Sequence, residues 1–128
     1  MPQYMLLIYG PSGQAPTPEE MAAEMPRWTA YTEELQSSGI MRAGDALHGP
    51  EAATTVRVRD GETQVTDGPF AETKETLGGY YVIEVSDLDT ALKYAAKMPN
   101  ITYGSVEVRP VVDFSAMPSP EEQASTTA

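Results

Sequence analysis

The chain has no cysteine, one histidine, one tryptophan and two phenylalanines in 128 residues, and its 8 basic residues face 19 acidic ones. Without cysteine there are no disulfides, thiolate metal ligands or cysteine nucleophiles, which fits a reducing cytoplasm. A lone imidazole cannot supply a His pair and no HExxH-like spacing exists, so no metal is expected. Phosphate-loop, dinucleotide and GxSxG signatures are missing too, and no cofactor is expected. A net charge of −11 repels a polyanion and argues against nucleic acid as a partner. The purely apolar run, residues 5–8, is too short to cross a bilayer, and the Met-Pro-Gln-Tyr-Met start lacks a basic region and a cleavage site. Neither a membrane span nor a signal peptide is expected.

The length suits one domain with one core. Residues 1–114 read as that domain. Residues 115–128 are polar, contain proline and show no period, so they read as a flexible tail.

A first apolar strand is expected over Gln3 to Tyr9, followed by a Gly/Pro/Ser stretch. Thr17 is placed to cap a helix with Pro18 at its first position and Glu19 and Glu20 at the positive end of its dipole. Met21, Met25, Trp28, Thr32 and Leu35 share one face of that helix, and Gly39 ends it. Pro26 removes a backbone donor, so a kink or break near Ala22 to Met25 is expected. A short strand follows over Ile40 to Ala46.

Asp60-Gly61 predicts a tight hairpin over Thr54 to Thr66, with Arg59 opposite Glu62 and Val56 opposite Val65. Val56, Val58 and Val65 then share one side, and Arg57, Arg59, Glu62 and Gln64 the other. A loop is expected from Asp67 to Gly78 and a strand over Gly79 to Val85. Ser86 is placed to cap a second helix that Pro99 ends, and a last strand around Val106 to Val111 is apolar on one side only.

The order β-α-β-(hairpin)-β-α-β predicts an α+β, ferredoxin-like antiparallel sheet with two helices on one face and the first and third core strands central. Two helices leave one sheet face open. A patch bearing several of Tyr4, Leu6, Ile8, Tyr81 and Ile83 would exceed what monomers usually expose. A second copy is the simplest cover, giving a homodimer through the sheet face. The other arrangement folds the hairpin over that face.

The run Asp67-Gly68-Pro69-Phe70-Ala71-Glu72-Thr73-Lys74-Glu75 is the most informative stretch. Asp67 suits an Asx turn, Gly68 a positive φ, and Pro69 fixes the direction in which Phe70 leaves. Through this run the chain resembles the DGPF branch of the YCII-related family. The likeness also covers Tyr4 to Tyr9, Gly44 to Leu47, Thr55 to Val58, Leu77 to Tyr81 and Ser105 to Pro110. The resemblance implies a ferredoxin-like fold assembled as a dimeric α+β barrel. It also brings an acid–base pair, a His on the first helix and an Asp after the second. At those places this chain has Trp28 and Met98, which cannot exchange protons, so that chemistry does not carry over.

Other polar groups remain as candidates. Asp67, Lys74, Glu75 and His48 are the catalytic ones, although Asp67 and Lys74 also suit a purely loop-holding role. Trp28, Tyr31, Asp45, Asp67, Phe70, Glu72, Lys74 and Tyr80 are the candidates for lining a small-ligand site. Two functions are compatible with this set. The first is a ligand-binding or regulatory module. The second is a cofactor-independent isomerase, lyase or oxygenase acting on a small carbonyl or cyclic substrate.

Overall fold

Four strands pair antiparallel into the main sheet of the computed structural model, which describes residues 1–11, 16–69 and 74–116. They are β1 (Gln3–Pro11), β2 (Met41–Ala46), β5 (Glu75–Glu84) and β6 (Ser105–Pro110). Their order is β2-β5-β1-β6, so the first and third core strands are central, as the sequence pattern required. Between β2 and β5 the chain makes a separate two-stranded hairpin, β3 (Thr54–Arg59) and β4 (Glu62–Asp67). Helix α1 (Pro18–Ser37) follows β1, and α2 (Leu88–Ala96) follows β5. Among the described residues, no helix is long and apolar enough to cross a membrane.

The Thr17 hydroxyl accepts from the Glu20 amide at 3.1 Å and starts α1. This helix runs through Pro26 as one element, so the chain does not break there. The carbonyl deprived of its donor is that of Ala22, an exposed residue, where solvent can meet it. The second helix is capped by Asp87 rather than Ser86, with the Thr90 amide donating to its carboxylate at 2.8 Å.

Residues directly opposite on paired strands share a face. Tyr4 and Leu6 face Ile83 and Tyr81 on one side of β1, and Pro110 and Val108 on the other. Tyr31 and Leu35 of α1 and Ala91 and Ala95 of α2 close over this face, with Val85 and Met98 completing the core. The Tyr31 phenol donates to the Tyr94 carbonyl at 2.8 Å, and the Thr32 and Tyr81 hydroxyls share a 2.7 Å bond. The residues expected to form the uncovered patch therefore lie on the helix side. The open face carries the intervening set, Met5, Leu7, Tyr9, Leu77, Tyr80 and Val82, flanked by Asp45, Glu107 and Arg109.

The hairpin register is as expected, with Arg59 opposite Glu62 and Val56 opposite Val65. Asp60 and Gly61 both take positive φ, 53° and 78°, the turn that matches strand twist. Its valines do not cover the open sheet face: Val56, Val58 and Val65 stay 58–65% exposed. Of the expected tail, Ser115 and Ala116 complete a 3₁₀ turn that begins at Phe114, and residues 117–128 lie outside the described residues.

Candidate functional site

A bulge decides what gathers at one end of the open face. The pairing of β1 with β5 shifts between Ile8 and Tyr9, so Gly79 faces Ile8 but Leu77 faces Tyr9, and Glu75 faces Pro11. Gly78 is the extra residue. Without it, Glu75 would point to the helix side; with it, Glu75 joins Tyr9 on the open side. The segment Glu75 to Gly78, expected as loop, is thus the first part of β5.

Tyr9 and Ser105 are opposite partners across β1 and β6, and Glu107 is opposite Leu7. Tyr9 reaches diagonally to Glu107, its phenol donating to the carboxylate at 3.3 Å. The Ser105 hydroxyl donates to both Glu75 oxygens, at 2.8 and 3.0 Å, across the end of β1. Tyr9, Lys74, Glu75, Ser105, Val106 and Glu107 line a broad-mouthed cavity of about 500 Å³. Burial, then the charge and hydrogen bond of Glu107, hold the Tyr9 phenol above its ordinary value of 10.0, with Arg109 acting in the opposite sense. Lys74 is exposed and makes no ion pair with a described residue. One cavity wall thus offers a cation, a phenol that keeps its proton, and two carboxylates, the groups that proton transfer at a carbonyl or phenol needs.

A second tyrosine–carboxylate pair stands at the opposite edge of the sheet. Tyr80 and Asp45 face each other across β5 and β2, and the phenol donates to Asp45 at 2.6 Å. The hydrogen bond and charge of Asp45 raise the Tyr80 phenol above its ordinary value. In the register, Leu7 lies between Tyr80 and Glu107, so this pair and the cavity are separate places on one face.

Of the residues singled out from sequence, Lys74 and Glu75 line the cavity. Asp45 and Tyr80 share its face but not its lining, while Trp28 and Tyr31 pack into the helix-side core. Trp28 and Met98, where the resemblance places an acid and a base, both belong to that apolar cluster. His48 is exposed in the coil after β2, away from the cavity lining. Phe70 and Glu72 lie outside the described residues. The Asp67 side chain makes no hydrogen bond with a described residue. Instead Gly68, at φ +107°, donates its amide to the Ala53 carbonyl at 2.7 Å and accepts from the Thr55 hydroxyl at 2.8 Å. Among the described residues, no three His, Asp or Glu side chains come together as a metal site. The sequence reading missed Tyr9, Ser105 and Glu107. Their signal was strand alternation, which puts all three on one face once β1 and β6 are paired.

These elements define an α+β domain of ferredoxin-like topology with a broad-mouthed cavity at one end of its open sheet face. The chain belongs to the YCII-related domain family, which it matches over residues 2–115. An uncharacterized protein of Rhizobium meliloti (strain 1021) is 53% identical over 62 residues, 47% of this chain and 50% of that protein. The match therefore spans about half the length of that relative. The fold is similar to that of 5-chloro-2-hydroxyhydroquinone dehydrochlorinase from Burkholderia phenoliruptrix AC1100, solved in complex with 2,5-dihydroxybenzoquinone. The TM-score is 0.54 at 12% identity, covering 88% of this chain and 96% of that one, a likeness of fold alone.

Proposed function

We propose that the Tyr9–Glu107 cavity is the site of a cofactor-independent acid–base enzyme acting on a small cyclic carbonyl or phenolic substrate. The observation that carries this is the Tyr9 phenol hydrogen-bonded to Glu107 in the same cavity as Lys74, which no described acid engages. The Lys74 ammonium holds a substrate oxygen and stabilises negative charge that develops on it. Glu107 removes a proton from the adjacent ring position, and Tyr9 supplies one to the oxygen or to a second carbon. Glu107 then reprotonates Tyr9, so the cycle closes without a redox partner. The similarity of fold to a dehydrochlorinase solved with a dihydroxylated quinone supports an enzyme over the ligand-binding or regulatory module that came first from the sequence. Titration with 2,5-dihydroxybenzoquinone tests the site. Binding that Lys74→Ala weakens about tenfold or more is expected, the usual worth of a charge-assisted hydrogen bond. Binding that Lys74→Ala leaves intact would remove the cavity from the account.

We further assign the chain to the DGPF branch of the family, on the Asp67–Glu75 run, and to the cytoplasm, on the zero cysteine count. Residues 1–114 are taken as the folded domain. A second copy covers the open sheet face and closes an α+β barrel around it. Support comes from half-exposed Met5, Leu7 and Val82 at the centre of that face, ringed by Asp45, Glu84, Glu107 and Arg109.

A further inference from the structure

Asn100 lies in the 3₁₀ turn Pro99–Thr102 and is 2% exposed. Its Nδ2 donates to two backbone carbonyls, that of Tyr9 at 3.0 Å and that of Ser105 at 3.2 Å. Tyr9 and Ser105 are opposite partners across β1 and β6, and both line the cavity. Both donors of one amide thus tie together the two strands whose side chains, on the other side of the sheet, bond Glu107 and Glu75.

The turn is shaped around this contact. The Asn100 carbonyl accepts from the Tyr103 amide at 3.1 Å and from the Gly104 amide at 2.7 Å. A Cβ at Gly104 would collide with the Tyr9 carbonyl oxygen and lie 3.2 Å from Asn100 Nδ2, so only glycine lets the amide and the strand approach this closely. The Asn100 Oδ1 is buried and has no hydrogen-bond partner among the described residues. What the residue supplies is its pair of N–H donors.

We propose that Asn100 is the positioning residue of the cavity, setting the separation of the Tyr9 phenol and the Ser105 hydroxyl through their backbone carbonyls. The role rests on the acid–base reading of the cavity, but its test does not. In protein labelled at tyrosine ring carbons, the Tyr9 phenol is expected to titrate above 10.0, because partial burial and the neighbouring Glu107 carboxylate both disfavour the phenolate. Asn100→Ala, folded by circular dichroism, is expected to lower that titration toward the ordinary range and to weaken 2,5-dihydroxybenzoquinone binding at least fivefold. An unchanged Tyr9 titration in the folded variant overturns the proposal, whether or not the wild type binds the quinone. Should Asn100→Ala not fold, hydrogen exchange of the Asn100 side-chain amide in the wild type decides. Strongly slowed exchange of both protons supports the double donation, and exchange at the rate of an exposed amide refutes it.

Discussion

Asp45 and Tyr80 stand directly opposite each other on β2 and β5, and the phenol donates to the carboxylate at 2.6 Å. The carboxylate disfavours a phenolate beside it and its hydrogen bond favours the neutral phenol, so Tyr80 keeps its proton above its usual pH. Asp45→Asn removes the charge. The Tyr80 titration, followed by ring-carbon NMR, is expected to fall toward 10.0. A titration that stays in place would mean that this bond is not made in solution.

Gly104→Ala should be destabilising beyond any change in helix or strand preference. Its Cβ would collide with the Tyr9 carbonyl oxygen, a backbone atom that cannot rotate away. Overpacking of this kind costs about 1–3 kcal/mol, readable as a lower urea midpoint.

Leu35→Ala should cost about 2–5 kcal/mol, the range for emptying a fully buried aliphatic site. Leu35 is 0% exposed and lies between α1 and the sheet. A much smaller loss would show that α1 is not packed on that face.

Asp87 gives stability a dependence on pH at the acid side. Hydrogen bonds from the Thr90 side chain and amide hold its carboxyl below the ordinary 3.8. A carboxylate lowered by folding stabilises above its unfolded pKa, and that contribution is lost as pH falls through the folded value. The gap in urea midpoint between wild type and Asp87→Ala should therefore be full near neutrality and close as the pH drops below the ordinary carboxylate range.

Much of this architecture was legible in the residues. Asp60-Gly61 set the hairpin register, and the apolar character of β1 and β5 on both sides marked them as central. The choice of face was harder. Tyr4, Leu6 and Ile8 are as apolar as Met5, Leu7 and Tyr9, so β1 alone does not say which side the helices cover. The answer lay in β6, whose Val106 and Val108 share a side with Ile8 and Leu6 while Glu107 and Arg109 share one with Leu7 and Met5. The cavity was less legible still. The bulge that brings Glu75 beside Ser105 depends on pairing between distant strands, and Gly78-Gly79 marks only that a departure is allowed there. Asn100 gave no pattern at all, because its partners are carbonyls remote in sequence.

Leu7→Glu tests the second copy. The side chain sits mid-sheet on the open face, opposite Tyr80 on one side and Glu107 on the other. A carboxylate buried there between two copies would be strongly unfavourable, and sedimentation should show a dimer in the wild type and a monomer in the variant. A wild-type monomer would refute the closed barrel.

The acid–base account of the cavity is tested most directly by proton exchange on a ring substrate. 2,5-Dihydroxybenzoquinone in D₂O is incubated with the protein, and loss of its ring C–H signal is followed by proton NMR. The account predicts exchange faster than in buffer, abolished or strongly slowed by Glu107→Gln and by Tyr9→Phe, both of which leave the helix-side core untouched. Exchange no faster than in buffer while the wild type binds the quinone, or exchange that survives both substitutions, would contradict it.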